Sequence, residues 1–140
     1  MNNLVLSLWE REFDLEIIYD VYEGEEILDI QKEAFDNFKN CINNNKSIME
    51  KAKQGIIKYI LAKNADIIGE DDITNLFKYI IPTAIYIERD GIVDILCEYK
   101  FDIEHGIAVQ FEKEEFKGVT SQDTVIWVLD LYEKKKLYIE

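Results

Sequence analysis

The sequence predicts an α+β fold: a largely antiparallel β-sheet with a helical hairpin, plus a short third helix, packed on one face. Three observations carry this expectation. Apolar residues alternate with period two in the first 21 residues and again after Pro82. Between them the period changes to three and four residues. No repeat, low-complexity tract or Pro/Gly/Ser linker divides the chain, so residues 1–140 read as a single domain.

The elements follow in order. Leu4, Leu6 and Leu8 share one parity, and Phe13, Leu15, Ile17, Tyr19 and Val21 form a second apolar series with Asp14, Glu16 and Asp20 opposite. These are two half-buried strands joined by a charged turn around Glu10–Glu12. From Asp29, a plausible N-cap, the series Ile30, Ala34, Phe35, Phe38, Cys41 and Ile42 makes one stripe of an amphipathic helix. The triplet Asn43–Asn44–Asn45 ends it, and Asn45 or Ser47 caps a second helix with Ile48, Ala52, Ile56, Tyr59 and Ile60 inward. So short a connection makes the two helices antiparallel. Residues 64–72 read as a loop. "ITNLFKYII" reads as a short helix stopped before Pro82, because the residue before proline avoids the helical region.

The second half is a meander. Asp90–Gly91 between two strand-like runs signals a type I′ hairpin. The next strand places Val93, Ile95, Cys97, Tyr99 and Phe101 on one face and Asp94, Glu98 and Lys100 on the other, broken only by Leu96. Ile107, Val109 and Phe111 resume the alternation, "EKEEFKGV" turns into a short strand, and "TVIWVLDLY" reads as another strand. "EKKKLYIE" is its return or a tail.

Composition limits the function. A net charge of −13 argues against non-specific nucleic-acid binding and favours a basic protein partner. Residues 1–36 carry eleven acids and two bases, residues 37–63 one acid and six lysines, and residues 64–133 sixteen acids and five bases. The lysine-rich helical segment therefore reads as a solvated face, or as one attracted to the acidic sheet of a second copy in a homo-oligomer. No apolar run reaches the ~20 residues needed to span a bilayer. The opening residues lack a basic leader, so no membrane association and a cytoplasmic location are expected. Cys41 and Cys97 fall on apolar stripes and read as buried, reduced thiols.

Any histidine-based mechanism must use His105, the only one in the chain. Asp102, Glu104 and His105 offer three ligand types, yet their spacing matches neither zinc nor calcium patterns. The structural reading is a strand–turn–strand in which Asp102 caps its own turn and Gly106 takes positive φ. No catalytic residue, metal or cofactor is assigned. The rival reading, a metal-binding or metal-assisted hydrolase domain, centres on Asp102, Glu104 and His105. No phosphate-cradling glycine motif is present among the six scattered glycines.

"CEYKFDIEHGIAVQFEKEEFKGVTSQD" resembles a family of uncharacterised small bacterial domains with an acid-x-E-H-G turn and a G-x-x-S-Q-D close. The matching residues are Asp102, Glu104, His105 and Gly106, then Phe111, then Gly118, Ser121, Gln122 and Asp123. Phe101 stands where that family often has tryptophan. The resemblance covers the C-terminal half and implies no established activity, although similar small acidic α+β domains occur among bacterial immunity proteins. The expected function is a non-enzymatic interaction domain, in the sharpest form an immunity protein neutralising a basic toxin. Its binding face would comprise Asp14, Glu16, Asp20, Tyr22, Asp94 and Glu98 on a solvent-facing side of the sheet.

Overall fold

The computed structural model describes residues 2–68 and 75–122. Six strands and two helices make an α+β fold. In chain order they are β1 (Asn3–Leu8), β2 (Arg11–Tyr19), α1 (Asp29–Asn44), α2 (Lys46–Ile68), β3 (Ile80–Ile87), β4 (Val93–Tyr99), β5 (Ile107–Glu112) and β6 (Glu115–Ser121). The sheet order is β1-β2-β3-β4-β5-β6. Every neighbouring pair is antiparallel except β2 and β3, which the helical connection makes parallel. The segments expected as strand and tail in residues 124–140 lie outside the described residues.

Strand alternation sorts the side chains onto two faces. Leu15, Ile85, Ile87, Ile95, Val109 and Phe111 join Phe35, Phe38, Ala52, Ile56 and Ile60 of the helices in one buried cluster. The opposite parity carries a second, smaller buried cluster of Ala84, Tyr86, Leu96 and Ala108, with Ile18 packed against it. Gly55 of α2 lies flush on β6: a Cβ there would come within 2.4 Å of the Phe116 ring.

Several local expectations are corrected. The short helix predicted before Pro82 is a single 3-10 turn at Leu76–Lys78, and β3 begins at Ile80. Pro82 is tolerated inside the strand because a bulge falls there: Pro82 pairs with Cys97 and Ala84 with Leu96, leaving Thr83 as the extra residue. The Thr83 hydroxyl donates to the Leu96 carbonyl at 3.2 Å. Residues 64–68, read as loop, belong to α2, which kinks at Asn64 (φ −136°, ψ 21°). The Tyr99 hydroxyl donates to the Asn64 side chain at that kink.

The hairpin at Asp90–Gly91 is also not type I′. Gly91 takes φ +93° while Asp90 stays negative. Glu88 N–H donates to Ile92 O at 2.8 Å and Gly91 N–H to Glu88 O at 3.0 Å, the pattern of a three-residue turn with a glycine bulge. Two-residue turns with both residues at positive φ occur instead at Trp9–Glu10 and Lys113–Glu114. The Trp9 indole N–H donates to the Met49 carbonyl at 2.8 Å, which fastens the first of them to α2.

The start of α1 differs as well. Leu28, rather than Asp29, is the N-cap. Ile30 is half exposed and lies over Gly91, whereas Gln31 is completely buried. Its amide donates to Asp20 O at 3.0 Å and Ile87 O at 3.2 Å, and its carbonyl accepts from Leu28 N–H at 3.0 Å. One side chain thus ties the ends of the parallel strands β2 and β3 to the first turn of α1. Removing it leaves the Asp20 carbonyl and the Leu28 N–H without this partner, each costing about 1–3 kcal/mol, while Ile87 O keeps its bond from Asp20 N–H. Gln31→Leu should therefore lower unfolding free energy by about 2–4 kcal/mol in urea titrations at neutral pH, despite its apolar character.

Candidate functional site

The outward parity of β2 supplies the first part of the site. Glu12 and Asp14 are exposed and Glu16 is half-buried. Successive members of this row stand about 7 Å apart along the strand. Among the described residues none of the three forms an ion pair. The row continues through apolar Ile18 to Asp20, immediately beyond β2.

At that end the chain gathers further acids. Because β2 and β3 run parallel, the residues after their ends, Asp20 and Glu88, emerge at the same end of the sheet. The register places Ile18, Tyr86, Asp94, Gln110 and Gly118 in one line across five strands. Asp94, expected to face solvent, is completely buried on this line, and that expectation is corrected. Tyr86, Leu96 and Ala108 on the same face are apolar and buried too, so the parity was right but the exposure was not.

Both Asp94 oxygens are buried, with the Glu88 carboxyl and the Gln110 amide as their polar neighbours. Burial first, and the neighbouring Glu88 carboxyl second, push Asp94 up to about 9, so it is a neutral acid at pH 7. Burial also raises Glu88, whose carboxylate receives a long contact from the Gln110 amide at 3.5 Å. The Tyr86 hydroxyl is hydrogen-bonded to Asp20, and burial followed by the charges of Asp20, Glu88 and Asp94 raises its pKa.

A loop braces this end. The Arg89 guanidinium makes a two-pronged contact with Glu25, one arm at 3.0 Å, and lies 4.1 Å from the Tyr22 ring centroid. Arg89 holds Glu25 down to about 2. Tyr22 N–H donates to the same carboxylate at 3.0 Å. Of the six residues expected to bind a partner, Asp20, Tyr22 and Asp94 therefore belong to this end. Asp14 and Glu16 lie along the β2 row. Glu98 is exposed on β4 about 13 Å along the strand from Asp94.

The stretch containing His105 is a turn. The Asp102 carboxylate accepts from His105 N–H at 3.3 Å and contacts the ring Nδ1 at 3.0 Å, and Gly106 N–H donates to Asp102 O at 2.8 Å. Gly106 takes φ +59°, and a Cβ would meet Cys97 O at 2.5 Å and the Gln122 amide at 2.6 Å. Gln122 closes the turn by donating its side-chain amide to Cys97 O at 2.9 Å and its N–H to His105 O at 3.2 Å. Glu104 and His105 are exposed. Among the described residues no three His, Cys, Asp or Glu side chains converge on a metal site. Both cysteines are buried and free, and burial raises the Cys97 thiol.

Residues 2–126 match the family model described as "Domain of unknown function (DUF6985)". The chain belongs to that family. The matched segment contains the six strands and two helices of the described residues, and so both the acidic end of the sheet and the His105 turn. No curated protein matches the chain, and no solved structure does. No described helix is long and apolar enough to cross a membrane.

Sequence reading missed Glu88, Arg89, Glu25, Gln110 and Tyr86 as members of the acidic end of the sheet. Only the parallel pairing of β2 with β3 brings Glu88 beside Asp20, and a reading of local periodicity does not contain it.

Two tests follow from these contacts. Gly106→Ala should cost about 2 kcal/mol or more, because positive φ and the Cys97 carbonyl both oppose a Cβ; thermal unfolding measures it. For Asp94 the folded pKa lies above its ordinary 3.8, so the buried neutral form contributes stability below that pH. That contribution is lost as pH rises toward 9. Unfolding free energy should therefore decline from pH 5 to 9, and Asp94→Asn, which carries no proton to lose, should flatten the decline.

Proposed function

We propose that this chain is a protein-interaction domain that presents the carboxylate row of β2 to a basic protein partner. The observation that carries the reading is the Glu12–Asp14–Glu16 row, free of ion pairs among the described residues and continued by Asp20 at its end. Unpaired carboxylates on a rigid strand hold charge at fixed spacing, which speeds encounter with a cationic surface and sets its register. Neutralisation of a basic toxin is the sharpest form of this function, and the net charge of −13 suits it. Cytoplasmic action, where buried thiols stay reduced, belongs to the same reading.

The rival, metal-dependent hydrolysis at Asp102, Glu104 and His105, has less support. Asp102 is engaged by the His105 backbone and ring, which uses it to build the turn.

Affinity capture with the purified chain, followed by binding measurements on the isolated partner, tests the proposal. A partner with excess lysine and arginine is expected, bound more weakly as salt rises from 50 to 300 mM. Glu12→Gln/Asp14→Asn/Glu16→Gln should weaken binding by roughly tenfold or more without lowering stability. An acidic partner, or unchanged affinity in that variant, refutes the reading.

A further inference from the structure

The two edges of the sheet formed by the described residues differ in a way that bears on how a partner docks. At one edge, β6 carries Glu115 and Lys117, a bulge opposite Gln110 and Phe111, and α2 packed against it. Charges, bulges and covering helices are the means by which edges avoid pairing with other chains. At the other edge, β1 reads Asn-Leu-Val-Leu-Ser-Leu, with no charge and no bulge. Asn3, Leu4, Val5 and Ser7 are exposed, Val5 at 57%.

The hydrogen-bond phase of β1 can be fixed. Ile17 N–H donates to Asn2 O at 2.7 Å, so Asn2 belongs to the bonded set. In an antiparallel pair bonded and non-bonded residues alternate, which puts Leu4, Leu6 and Leu8 in the same set. The N–H and C=O groups of Asn3, Val5 and Ser7 therefore point away from β2, and among the described residues they have no partner. We infer that β1 is a docking edge that accepts an extended basic segment of the partner as a seventh strand.

This inference rests on the reading of the β2 row and adds the mode of recognition. The register pairs Asn3 with Glu16, Val5 with Asp14 and Ser7 with Glu12. A strand added to β1 lies about 10 Å from β2. Lysine or arginine side chains on its matching parity would cross the short Asn3, Val5 and Ser7 side chains, which leave the path to the carboxylates open. Long basic side chains lay their stems on such apolar surface and keep the charge at its far end. The opposite parity of the added strand would cover Leu4, 39% exposed on the same parity as Leu6 and Leu8, which join the main cluster. The segment selected is thus extended and alternates basic with apolar residues. A second copy of β1 would satisfy the same backbone groups, but it brings no cation and a second carboxylate row.

The probe is a ten-residue peptide alternating valine and lysine, with a valine–glutamate peptide as its counterpart. The lysine peptide should bind and slow hydrogen exchange at the Val5 and Ser7 amides by roughly tenfold or more in the unaltered protein. The glutamate peptide should not. Val5→Pro removes one outward N–H at an edge position where proline is tolerated, so it should keep the fold and abolish binding. Peptide-induced changes elsewhere with none at Val5 and Ser7 would overturn the inference. So would a dimer in sedimentation that Val5→Pro disperses. If Glu12→Gln/Asp14→Asn/Glu16→Gln abolishes binding but Val5→Pro does not, strand addition falls while the acidic-row reading stands. If only Val5→Pro abolishes it, strand addition stands and the acidic-row reading falls.

Discussion

The Gln31 side-chain amide is the contact on which the arrangement of the site depends. A parallel strand pair needs a crossover, and this one contains both helices between Tyr19 and Ile80. Something must fix where that crossover leaves the sheet. Gln31 does so by donating to the last carbonyls of both strands and accepting from the backbone before its own helix. Asp20 N–H donates to Ile87 O at 2.9 Å beside it. A buried amide with three hydrogen bonds specifies a geometry that an apolar residue of similar size would leave loose.

With β2 and β3 held in parallel, their continuations deliver Asp20 and Glu88 to one place, and Asp94 follows from the tight connection to β4. The sheet's second face separates two kinds of carboxylate. Those on β2 before Ile18 sit at the open margin and stay solvated. Asp94 sits in line with Tyr86 and Gln110, where a charge would lack water, and it holds its proton. One strand parity thus carries acids of opposite character, set by their distance from the apolar centre of the face.

Much of this was legible in the sequence, and the failures have definite causes. Period-two alternation located the strands because each has one face in the main core. It misjudged Asp94 because "AIYI" is apolar on both parities and "VDILCEY" sets Leu96 between its two acids, the mark of strands buried on two sides. The signal was present in Leu96, which the alternation treated as an exception. The helix before Pro82 failed for another reason: the bulge at Thr83 lets proline sit in a strand, and no local rule announces a bulge. Gln31 was passed over because a polar residue on a helix stripe looks like solvent-facing surface until two strand ends are placed beneath it. The capping bonds of the His105 turn, from His105 N–H and Gly106 N–H to Asp102, are all local. Its lock by Gln122 is long-range, and there the two motifs quoted from opposite ends of the segment touch.

Asp20 joins these systems. Its carbonyl accepts from Gln31, its N–H donates to Ile87, and its carboxylate receives Tyr86. The charge of Asp20 also acts on Arg89, which Glu25 and Tyr22 hold in place at the same end. A negative charge forced onto Asp94 would therefore arrive beside Glu88 and Asp90 with the nearby guanidinium already committed. The β3–β4 connection is itself bound to the loop after Asp20 through Arg89 and Glu25. The buried carboxyl and the loop that ends the acidic row of β2 thus meet at one end of the sheet, while β1, among the described residues, pairs with β2 alone.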